Sequence, residues 1–197
     1  SLDQWRADAA SGRLGEAFSC GTGGGGTPAC EVGGREGEIG IGSGGAGPRQ
    51  VEQVELGQRY PDLVEVRDIG DTWEKTQGIA DRDVLAIVLA NKAGAADRPS
   101  TMHVGGIHAR EIANPELLMT FATQLLEGYG RDAEATMLLD SRETVLVPML
   151  TADGHAIVEK AFAGEKGGNL MQRKSTSGGN PSTGVDLNRN YEYHCGG

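Results

Sequence analysis

Six consecutive apolar residues, Val84-Leu85-Ala86-Ile87-Val88-Leu89, constrain the fold more than any other stretch of this chain. An uninterrupted apolar run of this length is typical of a β-strand that is buried on both faces. A strand of this kind requires other parts of the protein to cover both of its sides. The run therefore predicts a central strand in a layered fold.

Other segments with strand patterns lie on either side of this run. Residues 63–69 alternate apolar and charged side chains, which is the pattern of a half-buried strand. A short buried strand is predicted at Met102-His103-Val104, and another at residues 143–150, with Pro148 near its end. A turn region is predicted between Gly70 and Gly78. The sequence therefore predicts a sheet that contains at least these strands. The segments between them have a different hydrophobic period.

Helical patterns fill the intervals between the strands. A short helix is predicted over residues 51–60, stopped by Pro61. Asn114-Pro115-Glu116 predicts the start of a second helix, with Asn114 as its N-cap and Gly128 and Gly130 at its end. Its predicted apolar face consists of Leu117, Leu118, Phe121, Leu125 and Leu126. A third helix is predicted over residues 132–140. Alternating strands and helices predict an α/β fold, a three-layer α/β/α arrangement with a mixed, largely parallel sheet.

Composition divides the chain into two parts. Of the 197 residues 32 are glycine, against an ordinary frequency of ~7%. Thirteen of the glycines lie in residues 21–47, which contain few large apolar side chains and cannot offset the cost of ordering the backbone. We expect residues 1–50 to form a flexible glycine-rich segment and residues 51–197 to form the folded domain.

Charge and hydropathy exclude two classes of partner. The net charge of −10 argues against a nucleic-acid-binding protein, which needs a basic surface for phosphate contacts. No stretch approaches the ~20 apolar residues needed to span a bilayer. Cys20, Cys30 and Cys195 are an odd number without a CxxC motif, and they fit an exported protein with one disulfide or a protein with free thiols.

The segment Gly105-Gly106-Ile107-His108-Ala109-Arg110-Glu111 follows a predicted strand and places three polar side chains in a glycine-rich turn. His108 and Glu111 offer an imidazole and a carboxylate, two of the ligand types that zinc accepts. In α/β folds, sites gather at the carboxyl ends of the strands, where this turn lies. The alternative interpretation is a surface turn with ordinary polar residues, because a short motif often matches by chance.

Three segments in this order resemble the zinc carboxypeptidase family. Residues 106–111 resemble the zinc-binding motif, Met171-Gln172-Arg173-Lys174 resembles the oxyanion-arginine segment, and Gly184-Val185-Asp186-Leu187-Asn188-Arg189-Asn190 resembles the loop that binds the terminal carboxylate of the substrate. The family's Asn-Pro-Asp-Gly turn is replaced by Thr151-Ala152-Asp153-Gly154. The resemblance extends from about Tyr60 to the C-terminus, and residues 1–50 do not share it.

The resemblance implies a Zn²⁺ cofactor with His108 and Glu111 as two of its ligands. It also implies that Arg173 stabilises the oxyanion, and that Arg189, assisted by Asn188, pairs with the C-terminal carboxylate of a peptide or protein substrate.

Arg110 is expected to bind upstream carbonyls of the substrate, or else to form a salt bridge with a neighbouring acid. Asp186 and Tyr191 are expected to be structural rather than catalytic. His103, His155 and His194 are expected to be structural or solvent-exposed.

In this family the third zinc ligand, a histidine, and the catalytic glutamate lie beyond the segment matched to Asn190. The chain is therefore expected to be an incomplete catalytic domain, truncated after the first half, that holds zinc weakly and has little peptidase activity. We expect a secreted, monomeric metallocarboxypeptidase as the parent protein. The alternatives are a non-catalytic relative that binds peptide carboxylates and a family member that acts on cell-wall peptides or other amidated acids.

Overall fold

The structure is a computed structural model that describes residues 48–95, 97–179 and 183–190. In chain order its elements are α1 (Pro48–Arg59), β1 (Val64–Asp71), α2 (Trp73–Thr76), β2 (Asp83–Leu89), β3 (Ser100–Val104), α3 (Ala113–Gly128), α4 (Ala133–Ser141), β4 (Glu143–Val147), α5 (Ala152–Phe162) and a 3₁₀ helix (Leu187–Arg189). The strands and the first three long helices confirm the elements predicted from the sequence. Most of the glycine-rich segment 1–50 and His194 lie outside the described residues.

The four strands form one mixed sheet in the order β1-β2-β4-β3. The α/β class and the mixed sheet are confirmed, but the expected parallel majority is wrong. Of the three strand pairs, β1–β2 and β2–β4 are antiparallel and only β3–β4 is parallel. The link between β1 and β2, residues 72–82, is shorter than the dozen or more residues that a parallel crossover needs, so these two strands run in opposite directions.

The apolar run is the centre of the core, as predicted. On one face of the sheet Ile87 and Leu89 are fully buried, and Ile87 pairs with the equally buried Leu146 of β4. They pack in one cluster with side chains of α1, α3 and α4: Leu56, Met119, Ala122, Leu125, Leu126, Ala135 and Leu139. On the other face Ala86, Val88 and Val147 are also buried. Both faces of the sheet are therefore covered over the second half of β2 and the end of β4, as a three-layer α/β/α fold requires.

β3 differs from its prediction as a buried strand. All five of its residues are exposed, and Met102 retains 61% of its accessible surface. The reason is its place in the sheet, since β3 is the last strand in the order and pairs only with β4. An edge strand has no neighbour on its outer side to cover it.

α3 begins and packs differently from the sequence prediction. Asn114 lies inside the helix instead of capping it, and its Nδ2 donates to Oε2 of Glu111 at 3.4 Å. The buried face is also displaced, with Leu117 65% exposed. Phe121 retains 36% of its surface, and its ring makes an edge contact with His103 at a centroid distance of 6.1 Å. The residues that face the core are Pro115, Met119, Ala122, Leu125 and Leu126.

The segment Thr151-Ala152-Asp153-Gly154, expected as a turn, forms the first turn of α5 instead. Asp153 is buried and is held by three donors, the backbone N–H of Glu74, the guanidinium of Arg82 and the hydroxyl of Thr176. The described residues contain no helix that is long and apolar enough to cross a membrane.

Candidate metal centre

The turn after β3 depends on glycine at two positions. Gly106 has a φ of +57°, and a Cβ atom there would lie 2.6 Å from Sδ of Met149. A Cβ atom on Gly105 would lie 2.9 Å from the carbonyl oxygen of Pro148. These distances are too short for any other side chain, so the glycines allow the turn to pass directly over the end of β4. The backbone that leads to His108 is thereby fixed.

His108 and Glu111 converge, as the sequence predicted. Nδ1 of His108 lies 2.7 Å from Oε1 of Glu111, and the Glu111 N–H donates to the His108 carbonyl at 3.1 Å. His108 is 7% exposed, while the Glu111 side chain retains 39% of its surface. The imidazole is therefore buried and the carboxylate is open to solvent, and the two potential metal-binding atoms, Nδ1 and Oε1, face each other.

Asp186 binds the other side of the imidazole. Its Oδ1 lies 3.1 Å from Nε2 of His108, and its Oδ2 accepts from Nε of Arg173 at 3.1 Å. The Asn188 N–H also donates to Oδ1 at 3.0 Å, a bond within the same loop. Asp186 therefore has a structural role in its own loop and also contacts His108. No sequence signal pointed to the second contact, because it joins two loops that are distant along the chain.

The charge on Asp186 is stabilised by its partners. Burial alone would raise the pKa of this carboxyl, but hydrogen bonds from Arg173, His108 and the Asn188 amide outweigh it and lower the pKa below its ordinary value of 3.8. The group is therefore a carboxylate at neutral pH. A carboxylate that accepts from the second nitrogen of a histidine is the usual partner of a metal-binding imidazole.

Arg173 lies beside both carboxylates. Besides its Nε contact with Asp186, its NH1 lies 4.0 Å from Oε1 of Glu111. Its carbonyl oxygen accepts from the Ala109 N–H at 3.1 Å, so backbone as well as side chain join this residue to the turn after β3. The structure thus brings His108, Glu111 and Arg173 together around one position.

Two hydrogen bonds between Ser175 and Val185 hold together the two parts of the segment before the 3₁₀ helix that carry Arg173 and Asp186. The Ser175 N–H donates to the Val185 carbonyl at 3.0 Å, and the Val185 N–H donates to Oγ of Ser175 at 3.0 Å. A Cβ atom on Gly184 would lie 1.6 Å from the Ser175 carbonyl oxygen, so the approach requires glycine there. Residues 173 and 186 are consequently held side by side.

The other predicted substrate-binding residues lie apart from this cluster. Asn188 and Arg189 are exposed, and NH1 of Arg189 donates to the Asn188 carbonyl at 3.1 Å. Arg110 is half-buried and has no hydrogen bond or ion pair with any residue that the structure describes, so the expected salt bridge to a neighbouring acid is not present there. Arg110 and Arg189 thus keep guanidinium groups with free donors.

The remaining histidines that the structure describes are not joined to this cluster by their side chains. His103 is exposed on β3, and His155 is buried in α5, where its Nδ1 lies 3.0 Å from the Ala109 carbonyl oxygen. Both placements agree with the structural or exposed roles expected from the sequence.

A second acidic group lies away from this cluster, where Asp68, Asp71 and Asp83 approach one another. The ammonium group of Lys75 forms ion pairs with Asp71 and Asp83, and its hydrogen bond to Asp83 raises the pKa of this lysine. The lysine therefore supplies the positive charge that these carboxylates need, and a metal ion is not required there.

The sequence profile of the zinc carboxypeptidase family matches residues 52–197. This chain belongs to the zinc carboxypeptidase family. The resemblance stated from the sequence is confirmed, and the cofactor of the family is Zn²⁺.

Individual relatives agree with the assignment to the zinc carboxypeptidases. The chain is 30% identical over 138 residues to the zinc carboxypeptidase of Saccharothrix mutabilis subsp. capreolus, covering 70% of this chain and 29% of that protein. It is 28% identical over 140 residues to carboxypeptidase B of Bos taurus, covering 70% of this chain and 30% of that protein. The chain thus spans under a third of the length of each.

A solved structure supports the same fold. The crystal structure of thrombin activatable fibrinolysis inhibitor superposes with a TM-score of 0.58 at 27% identity, covering 71% of this chain and 32% of that one. The α/β architecture of the described residues is therefore shared with that protein over the part that the two chains have in common.

The donor atoms of the cluster fit the metal of the family. Zinc accepts imidazole nitrogen and carboxylate oxygen, and the Nδ1 and Oε1 atoms of His108 and Glu111 already lie 2.7 Å apart. The second ring nitrogen of His108 faces a carboxylate, as metal-binding histidines usually do.

Proposed function

We propose that the protein is a zinc-dependent metallocarboxypeptidase that hydrolyses the C-terminal peptide bond of peptides or proteins. The observation that carries this proposal is the convergence of His108 and Glu111, from the turn after β3, with Arg173 and Asp186, from the segment that precedes the 3₁₀ helix. Membership of the zinc carboxypeptidase family supports the same reaction. Because the chain spans 30% of the bovine relative, the activity is proposed for the whole protein.

His108 and Glu111 would hold the metal through Nδ1 and through carboxylate oxygen. The contact between Asp186 and Nε2 of His108 fixes the ring so that Nδ1 is the nitrogen that faces Glu111. Since the His108 side chain is 9% exposed, its orientation is maintained by the protein and not by solvent. Bound zinc would supply an acidified water and a Lewis acid for the scissile carbonyl.

Arg173 would stabilise the negative charge that develops on the scissile carbonyl oxygen. Its Nε is bound to Asp186, which fixes the plane of the guanidinium. One terminal nitrogen, NH1, lies 4.0 Å from Oε1 of Glu111. A cation that is fixed before the reaction can contribute several kcal/mol to such a step.

Arg189 and Asn188 would bind the terminal carboxylate of the substrate, and Arg110 would bind carbonyls further upstream. Arg189 is exposed, and among the described residues its guanidinium donates only to the adjacent Asn188 carbonyl. A planar guanidinium with free donors matches a carboxylate with two parallel hydrogen bonds. Arg110 likewise has donors that no described residue uses. The extracellular location and the monomeric state of the protein stay predictions.

The reaction is tested with two peptides that differ only at the C-terminus. The natural polypeptide that carries these residues is loaded with zinc and incubated with a free-carboxylate peptide and with its C-terminal amide. We expect release of one residue from the free peptide only, detected by mass spectrometry, and loss of release in His108→Ala. Binding of the free peptide without cleavage would favour the non-catalytic carboxylate-binding relative instead. Equal cleavage or equal binding of the free-carboxylate peptide and its amide would contradict both functions.

A further inference from the structure

Four successive contacts join the metal-binding turn to the start of α5. The N–H groups of Leu150 and Thr151 donate to the carbonyls of Gly105 and Gly106 at 3.2 and 2.9 Å. The Thr151 hydroxyl donates to the Ile107 carbonyl at 2.6 Å.

The last of these contacts is made by His155, whose Nδ1 lies 3.0 Å from the Ala109 carbonyl oxygen. The carbonyls on both sides of His108 are therefore bound by side chains of this one helix end.

The donor in the last contact is defined by chemistry. A carbonyl oxygen accepts and cannot donate, so Nδ1 of His155 must carry the proton. Its other nitrogen, Nε2, lies 3.6 Å from Oε1 of Glu159, one turn further along α5. His155 is 8% exposed, which excludes most of the water that could replace its hydrogen bond. Without it, the Ala109 carbonyl would be buried with a missing partner.

The backbone of Ala109 joins the metal-binding turn to α5 and to the Arg173 loop. Its N–H donates to the Arg173 carbonyl at 3.1 Å, while its own carbonyl accepts from His155. Ala109 is 1% exposed, and a Cβ atom on Gly154 would lie 2.9 Å from the Ala109 Cβ. The backbone between His108 and Arg110 therefore cannot rotate without breaking a contact to α5 or to the Arg173 loop.

We propose that His155 and Thr151 are positioning residues, which hold the backbone around His108 so that its Nδ1 faces Glu111. This role rests on the proposed metal site, but neither residue touches the metal or the substrate. The two side chains lie four positions apart in and just before α5, so they project from the same side of the helix end. Replacing either donor frees a carbonyl of the turn and lets the imidazole depart from the metal position.

The test uses the full 197-residue chain with matched variants. His155→Phe keeps the ring but removes the donor, whereas His155→Asn places an amide N–H the same number of bonds from the backbone as Nδ1. Thr151→Val removes the hydroxyl at nearly constant shape. Zinc affinity is measured by calorimetry, and amide hydrogen exchange is measured for the peptide covering residues 105–112 in the metal-free chain.

We expect His155→Phe and Thr151→Val to bind zinc about tenfold more weakly, which is typical when an outer contact of a ligand is removed. Amide hydrogen exchange in residues 105–112 becomes faster in His155→Phe and in Thr151→Val. His155→Asn stays close to wild type in zinc affinity and in exchange rate. Wild-type affinity and exchange in His155→Phe would overturn the proposal, as would an equal loss in His155→Asn.

Two further outcomes are also decisive. If His155→Phe does not fold, judged by its thermal transition, unchanged zinc affinity and exchange in Thr151→Val overturn the proposal. If the wild-type chain binds no zinc, the proposed metal site fails, and the exchange data alone then decide whether His155 and Thr151 hold the turn.

Discussion

Nε2 of His108 lies 3.1 Å from Oδ1 of Asp186, although 78 positions separate the two residues in the chain. The contact leaves Nδ1 of the same ring facing Glu111 at 2.7 Å. Because the bond at one imidazole nitrogen determines which nitrogen remains for a metal, Asp186 sets the orientation of the candidate ligand. Asp186, expected from the sequence to be structural, therefore lies at the centre of the cluster.

Replacing Asp186 is expected to weaken zinc binding while the fold persists. In Asp186→Asn the partner of Nε2 loses its charge, and we expect about a tenfold loss of zinc affinity by calorimetry. Glu127→Gln is the control, since Glu127 is exposed and, among the described residues, forms only a long ion pair with Arg59 at 3.9 Å. Equal affinities of the two variants would show that the Asp186 contact does not support the metal site.

The same carboxylate predicts a pH dependence of stability. Its pKa is lower in the folded protein than its ordinary value of 3.8, so its ionised form stabilises the fold fully above that value. The contribution is lost as the pH falls below 3.8 toward the folded-state pKa. The difference in unfolding free energy between wild type and Asp186→Asn should therefore shrink on acidification. Urea titrations at pH 6 and at several values below 4 measure it, and a growing difference would contradict the assignment.

The buried network around Arg82 is expected to be a major contribution to stability. NH1 of Arg82 lies 2.7 Å from Glu74 and 3.1 Å from Asp153, and the Arg82 side chain is 13% exposed. Arg82→Ala leaves the Asp153 carboxylate buried without its cation, which should cost about 3 kcal/mol.

The matched control for this network is an exposed ion pair on β1. Arg67 lies 2.7 Å from Glu65, and both side chains keep more than 45% of their surface. Arg67→Ala should cost less than about 1 kcal/mol in unfolding free energy, because water screens an exposed pair. Similar losses in the Arg67 and Arg82 variants, measured by urea denaturation, would contradict the importance of burial here.

The turn before His108 should tolerate no side chain at Gly106. Gly106→Ala combines a left-handed backbone, at φ +57°, with a Cβ atom 2.6 Å from Sδ of Met149. Gly164 has a similar φ of +70° and nothing within 4 Å, so Gly164→Ala reports the backbone cost alone. We expect Gly164→Ala to lower the free energy of unfolding by about 1 kcal/mol, because of backbone strain.

Gly106→Ala should lower the free energy of unfolding by at least about 1 kcal/mol more than Gly164→Ala does, because the added methyl group is overpacked. Thermal or urea unfolding of the two variants gives the difference directly. A Gly106→Ala variant as stable as Gly164→Ala would mean that Met149 moves aside at no cost.

Local patterns in the sequence predicted the parts of the structure that local forces determine. The run at residues 84–89 predicted a strand covered on both faces, and β2 is buried in this way over its last four residues, 86–89. The spacing of His108 and Glu111 predicted two donors that face one point, and they lie 2.7 Å apart. Both inferences depend only on residues that are close along the chain.

The features that the sequence did not reveal depend on contacts between distant segments. The exposure of β3 follows from its place at the end of the strand order, which no pattern within Ser100–Val104 encodes. The contacts of Asp186 with His108 and of His155 with the Ala109 carbonyl join separate loops. Hydrophobic periodicity contains no information about such polar pairs, so they required the folded structure.

Zinc titration of the 197-residue chain tests whether His108 binds a metal ion. Calorimetry is run on the wild type, on His108→Ala, and on His103→Ala as the control histidine, which is exposed on β3. We expect one zinc ion per wild-type chain, the same affinity in His103→Ala, and a loss of about tenfold or more in His108→Ala. Zinc binding in His108→Ala that equals the wild type would contradict the account of the metal centre.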